Sequence, residues 1–256
     1  MVRNQPIIDI KNICAGQRLI NFSAQVFSGE QIHLLGANGA GKSTLLEALS
    51  GYLPVEGEII INRIPLQQYR VSQLTTQRAY LPQLVSQIPI LKVFQYLELF
   101  LPNMKLSAAI FERLCTDFQL TPLLRKPLVQ LSGGEWQRVR ITATFLQVWD
   151  DGAFSGKYLL FDEPMNNLDI VQQAMLDKWT KNFCDCSGTV IMSGHDLSHS
   201  YKNASNIWMM KQGRLTVTGK PENVMTEKNL SDIFMSEIKL SQSTSNRMWQ
   251  IINLSD

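Results

Sequence analysis

The chain has 256 residues, 45% of them hydrophobic and 18% charged, which suits one large α/β domain with a real core. A formal net charge of +2 gives no electrostatic footprint for nucleic acid, and no apolar run approaches the roughly 20 residues that cross a bilayer. The opening Met1-Val2-Arg3-Asn4-Gln5-Pro6 lacks the apolar core of a signal peptide, so any service to a membrane is expected from the cytosol, through a partner.

Residues 7–10 read as a first strand, and 22–27 alternate apolar and polar as a half-buried strand does. Ser28-Gly29-Glu30 is a turn, and 32–35 form a short buried strand that runs into glycine. Residues 44–50 carry apolar side chains at helical spacing, with Gly51 as the C-terminal cap. Strands follow at 58–62 and 79–81. Beyond Gln83 the periodicity turns helical as far as Trp149, most clearly at 93–101 and 108–118. Residues 149–156 are polar and glycine-containing, so a loop is expected. Strands return at 158–161 and 189–192, with a helix at 171–183 between them, the β-α-β alternation of a largely parallel sheet. The tail at 248–254 reads as a terminal strand pairing on an edge, or as a regulatory contact. There is no internal repeat. Four scattered cysteines make no disulfide framework. Cys184-x-Cys186 lacks a second pair or a nearby histidine, so buried or half-buried reduced thiols are expected.

Three motifs carry chemistry. Gly36-Ala37-Asn38-Gly39-Ala40-Gly41-Lys42-Ser43 fits G-x-x-x-x-G-K-[ST] between a strand and a helix that Thr44 continues. The glycines let successive N–H groups face phosphate oxygens, and the helix adds its positive end. Lys42 then reaches the outer phosphates, and the Ser43 hydroxyl can ligate Mg²⁺. Tyr158-Leu159-Leu160-Phe161-Asp162-Glu163 is an apolar strand delivering two acids to the ligand-binding edge of the sheet. Asp162 suits the Mg²⁺ shell, and Glu163 suits polarising a water. Leu131-Ser132-Gly133-Gly134-Glu135 precedes a helix, with Ser132 as cap, and makes a second anion-binding helix start.

The order of these motifs, with Gln83 between the first and the third and a lone His195 at the end, resembles the ATP-binding cassette (ABC) family over nearly the whole chain. The resemblance implies an α/β fold: a P-loop NTPase with a RecA-like core, a mostly parallel sheet with antiparallel strands at the N-terminal side, and an inserted helical subdomain. A single domain 1–256 with that insertion at 84–150 is expected. It also implies ATP and Mg²⁺ as ligands, and a head-to-tail pair of copies in which Ser132, Gly133, Gly134 and Glu135 close the other copy's nucleotide. Gln83 matches the glutamine that senses Mg²⁺ and couples to the membrane subunit. Asn167-Leu168-Asp169 matches the loop at the dimer interface, and His195 the histidine on the γ-phosphate. Catalysis is thus expected from Glu163, His195 and Gln83, and the metal shell from Ser43, Gln83 and Asp162.

The signature decapeptide from Leu131 to Arg140, together with Met165-Asn166-Asn167 and Gln172-Gln173, is similar to the ATPases of bacterial cobalamin importers. Iron-siderophore and haem importers are the neighbouring expectation. Two permease subunits, with residues 84–100 lining the docking groove, are implied as partners, with a periplasmic binding protein acting indirectly. The location implied is the cytoplasmic face of the inner membrane. The family's adenine-stacking aromatic is missing from Asn12-Ile13-Cys14-Ala15-Gly16, so the nucleotide is expected to be held mainly by its phosphates. A soluble cassette ATPase acting on DNA or ribosomes would carry coiled coils or two cassettes, and an ordinary P-loop kinase has no need of residues 131–135.

Overall fold

The computed structural model describes residues 5–83, 87–101, 108–149, 154–243 and 246–254, apart from the side chains of 241–248 and 250–254. The chain begins with β1 (Ile8–Ala15) and β2 (Leu19–Val26), then β3 (Gln31–Leu35) and α1 (Lys42–Ser50). The first strand runs past the expected 7–10. Register shifts between Ile10 and Ile13, with Asn12 at φ 49°, keep Ile8, Ile10 and Ile13 all inward. A plain alternation rule loses the strand at that bulge. Gly51 caps α1 in the left-handed conformation, as its position predicts.

Next come β4 (Glu56–Ile61), β5 (Ile64–Pro65), α2 (Val71–Gln77) and β6 (Arg78–Leu81). Between β6 and the following strand, the regular elements among the described residues are helical: α3 (Val93–Glu98), α4 (Ala108–Asp117) and α5 (Gly133–Val148). Of the expected loop at 149–156, residues 150–153 lie outside the described residues. The core resumes with β7 (Tyr158–Phe161), α6 (Ile170–Asp185), β8 (Thr189–Ser193) and α7 (Leu197–Asn203). It finishes with β9 (Asn206–Lys211), β10 (Arg214–Gly219), α8 (Pro221–Val224), α9 (Glu227–Phe234), β11 (Ser236–Ser243) and β12 (Asn246–Leu254).

The main sheet has the order β10-β9-β3-β8-β7-β6, parallel except for the antiparallel β10. A second, antiparallel sheet, β2-β1-β4-β5, comes from the N-terminal side. Every residue of β3, β7 and β8 is buried, the signature of a parallel sheet covered on both faces. One face packs under the antiparallel sheet and α1, through Phe22, Leu45, Leu49 and Trp208. The other packs under α5 and α6, where Phe145 meets Phe161 at 5.8 Å and Trp179 at 5.8 Å. These layers hold the ends of β3, β7 and β8 at one edge.

The tail is the terminal strand expected, and it pairs within its own hairpin. β12 joins no edge of the main sheet; it pairs with β11 as a separate two-stranded sheet, with Met248 opposite Ser241. A neighbouring strand a few residues upstream closes a short loop at small entropic cost, and α9 packs against this hairpin through Ile233 and Ile238. The thiols also differ in part: Cys186 is exposed, at the C-cap of α6. Burial pushes Cys184 up to about 12 and Cys115 up to about 11.

A polar chain runs from buried His33 to half-buried His199 and Asp177. His33 on β3 bonds Gln31 at 3.2 Å and Ser200 at 3.1 Å, and stacks on His199 at 5.4 Å. His199 in turn bonds Asp177 of α6 at 2.8 Å. Burial, reinforced by repulsion from His199, lowers the His33 pKa from 6.5 to about 3. Between those values the unfolded chain binds a proton that the folded chain refuses, so stability falls as pH drops from 6.5 toward 3. At pH 4.5 the penalty is roughly 3 kcal/mol. Urea titrations at pH 7 and 4.5 should show the loss, and His33→Gln should remove most of it.

Candidate functional site

The turn after β3 wraps the start of α1. Gly41 sits at φ 100° as the helix N-cap, and a Cβ there would strike the carbonyl oxygen of Arg18. Only glycine both adopts that backbone and leaves that space. Lys42 is buried, and its Nζ donates to the carbonyls of Gly36 at 2.7 Å and Ala37 at 3.1 Å. Burial lowers its pKa, against the opposing pull of Glu163 and Asp162. Outside this loop lies a cleft of about 490 Å³ lined by Asn38, Gly39, Ala40, Gly41, Lys42, Ser43 and Thr44, together with Arg18, Gln83, Glu163 and His195.

Five separate segments therefore meet at one cleft, and the joints between them are specific. Asp162 is buried at the end of β7 and accepts from Ser193 Oγ at 2.6 Å; the same hydroxyl accepts from the Glu163 N–H at 2.9 Å. Glu163 has φ 51°, an uncommon backbone for a non-glycine residue that turns its side chain into the cleft. Its Oε2 accepts from Gln83 Nε2 at 2.7 Å and from Asn166 Nδ2 at 2.7 Å, while Oε1 lies 2.6 Å from His195 Nε2. Burial raises the Glu163 pKa, but the bonds from His195, Asn166 and Gln83 and the charge on His195 outweigh it, so the carboxyl sits below its usual range.

Residues 132–134 stand apart from this cleft. Ser132 caps α5, accepting from the Glu135 N–H at 3.2 Å while Glu135 Oε2 accepts from the Ser132 N–H at 2.8 Å. This capping box, with Lys126 at 3.1 Å, holds Glu135 below its usual pKa. Gly134 lies against the Asn167 carbonyl, where a Cβ would stand 2.7 Å from the oxygen. None of the four signature residues lines the cleft of its own chain. Asp169 caps α6, accepting from the Gln172 N–H at 2.8 Å.

Several contributors escaped the sequence reading. Ser193 ties the two acids together. Gln137 of α5 donates to the Pro164 carbonyl at 2.9 Å, and Arg140 donates to Gln137 and to the Pro82 carbonyl. One helix face thus holds the residues flanking both Gln83 and Glu163. Arg18 lines the cleft from the turn between β1 and β2, and no aromatic side chain joins it there among the described residues. Local polarity gives no sign of these contacts, because the key partners lie far away in sequence: the Pro164 carbonyl for Gln137, the Pro82 carbonyl for Arg140, and Asp162 and the Glu163 N–H for Ser193. Of the stretch 84–100, residues 84–86 lie outside the described residues. Val93 and Leu97 are core, whereas Ile90 and Leu99 are 95% and 70% exposed.

The ABC transporter family model matches residues 19–166. A vitamin B12 import ATP-binding protein, BtuD, of Photorhabdus laumondii subsp. laumondii is 46% identical over 246 residues, covering 96% of this chain and 97% of that one. The protein of the same name from Yersinia pseudotuberculosis serotype I is 44% identical over 237 residues, covering 91% and 94%. Among solved structures, an ATP-binding subunit of an ABC transporter superposes with a TM-score of 0.76 at 24% identity, over 88% of this chain and 94% of that one. A dimeric bacterial ABC transporter cassette gives 0.70 at 23%, over 84% and 98%. At those identities the two structures speak for the fold, and the sequence relatives speak for the family. The chain belongs to the ABC transporter family, as an ATP-hydrolysing cassette.

Proposed function

We propose that this cassette powers vitamin B12 import, as one of two head-to-tail copies bound beneath two permease subunits at the cytoplasmic face of a bacterial inner membrane. A periplasmic binding protein would deliver the substrate from the other side. The observation that carries the reading is the split site: the phosphate loop, Gln83, Glu163 and His195 share one cleft, and residues 132–134 lie outside it. A second copy is the natural source of the missing wall. The substrate rests on the relatives named as vitamin B12 import ATP-binding proteins. Exposed Ile90 and Leu99 offer apolar contact to a permease, and among the described residues no helix is long and apolar enough to cross a membrane.

In this reading residues 36–44 hold the phosphates, with Lys42 turning from two loop carbonyls to the outer phosphate oxygens. Glu163 accepts the proton of the attacking water, and His195 donates toward the γ-phosphate. Ser132, Gly133 and Gly134 of the second copy present helix-start N–H groups to the same phosphate, with Glu135 holding that helix start in its capping box. The oxygen donors of Ser43, Gln83 and buried Asp162 suit Mg²⁺; the Gln83 nitrogen is the atom spent on Glu163, which leaves its amide oxygen for the metal. Bound Mg²⁺ would neutralise the charge on the outer phosphates.

The test is reconstitution with candidate permeases and an assay of ATPase against each loaded binding protein. Cobalamin-loaded protein is expected to raise turnover several-fold, and siderophore- or haem-loaded protein to leave it at the basal rate. Stimulation by a siderophore-loaded partner alone would reassign the substrate.

A further inference from the structure

We infer that Asn166 is a positioning residue for Glu163 and that the rate of ATP hydrolysis depends on its side-chain amide. The inference rests on the proposed role of Glu163 as the base. Three groups hold that carboxylate: Gln83, Asn166 and His195. Two of them have other work in the proposed reaction, Gln83 at the metal and His195 at the γ-phosphate. They also come from distant segments, 80 and 32 residues away.

Asn166 differs on both counts. It belongs to the same turn as Glu163. That turn is closed by the Asn166 N–H on the Glu163 carbonyl at 3.3 Å and the Leu168 N–H on the Met165 carbonyl at 3.2 Å. Left-handed residues, Glu163 at φ 51° and Asn167 at φ 62°, bracket it. The amide's aim at Oε2, at 2.7 Å, is therefore set by local backbone and persists when the other loops move onto nucleotide. With Oε2 engaged by Asn166 and Gln83, the carboxylate cannot spin freely, and Oε1 is the oxygen left facing His195 Nε2. Asn166 is exposed, so its replacement leaves the core intact.

Steady-state ATPase of the full chain with MgATP tests this, using Asn166→Ala, Asn166→Asp and Glu163→Gln. Misplacement of a reacting group costs about 10–10²-fold. Asn166→Ala should lower kcat about tenfold with KM for MgATP within about twofold. Asn166→Asp, which keeps the size but puts an acceptor against Oε2, should lose more. Added to Glu163→Gln, Asn166→Ala should cost nothing further, because the group it aims is gone. The inference is overturned if Asn166→Ala and Asn166→Asp keep the wild-type kcat while Glu163→Gln is strongly impaired. It is equally overturned if Asn166→Ala lowers the residual rate of Glu163→Gln by the same factor as in wild type. Near-normal turnover by Glu163→Gln itself would instead remove the base assignment beneath it.

Discussion

Glu163→Gln should bind MgATP as tightly as wild type and hydrolyse it about 10²–10⁴-fold more slowly, the range that loss of a general base covers. The site is built to keep its shape through this change. The new amide oxygen can still accept from Gln83 and Asn166, which now meet at Oε2. The new NH₂ would face His195 Nε2, now 2.6 Å from Oε1, and the imidazole can answer by presenting that nitrogen unprotonated. What cannot be replaced is the basic lone pair. Single-turnover kinetics beside a nucleotide titration separate the two properties: the rate falls and the binding curve stays in place.

Lys42→Ala should act on binding itself, weakening MgATP by on the order of 10²-fold, since hydrogen bonds to a charged group contribute about 1.5–3 kcal/mol. Without nucleotide the ammonium satisfies only the Gly36 and Ala37 carbonyls, and burial already lowers its pKa. Removing it relieves that desolvation, so the nucleotide-free variant should melt no earlier than wild type. A calorimetric titration paired with a thermal melt distinguishes lost affinity from lost structure. Unaltered affinity would contradict the proposed role of Lys42.

Legibility followed contact range. The loop at 36–43 was readable because glycines, lysine and serine are contiguous and flanked by a strand and a helix. β7 was readable as four apolar residues ending in two acids. The strand at Asn206–Lys211 was missed although Ile207, Trp208, Met209 and Met210 form a buried run; the signal was there, and α7 before it is only seven residues long. The left-handed backbone of Glu163 was not readable, since glutamate has no preference for it; the turn imposes it. The clamp from Gln137 and Arg140 was hidden for a different reason. α5 is buried on most of its faces, so no amphipathic stripe marks which polar residues point inward. Arg18 reaches the cleft only because Gly41 and Gly213 let its backbone lie against the helix start.

The divided site is the central claim, and the mass of Glu163→Gln in solution tests it most directly. Light scattering with and without MgATP should show a monomer without nucleotide and a dimer holding two ATP with it, and a bulky residue replacing Ser132 should abolish the dimer while each chain still binds ATP. A Glu163→Gln chain that binds ATP yet remains a monomer at every protein concentration would contradict a site completed by residues 132–134 of a second copy.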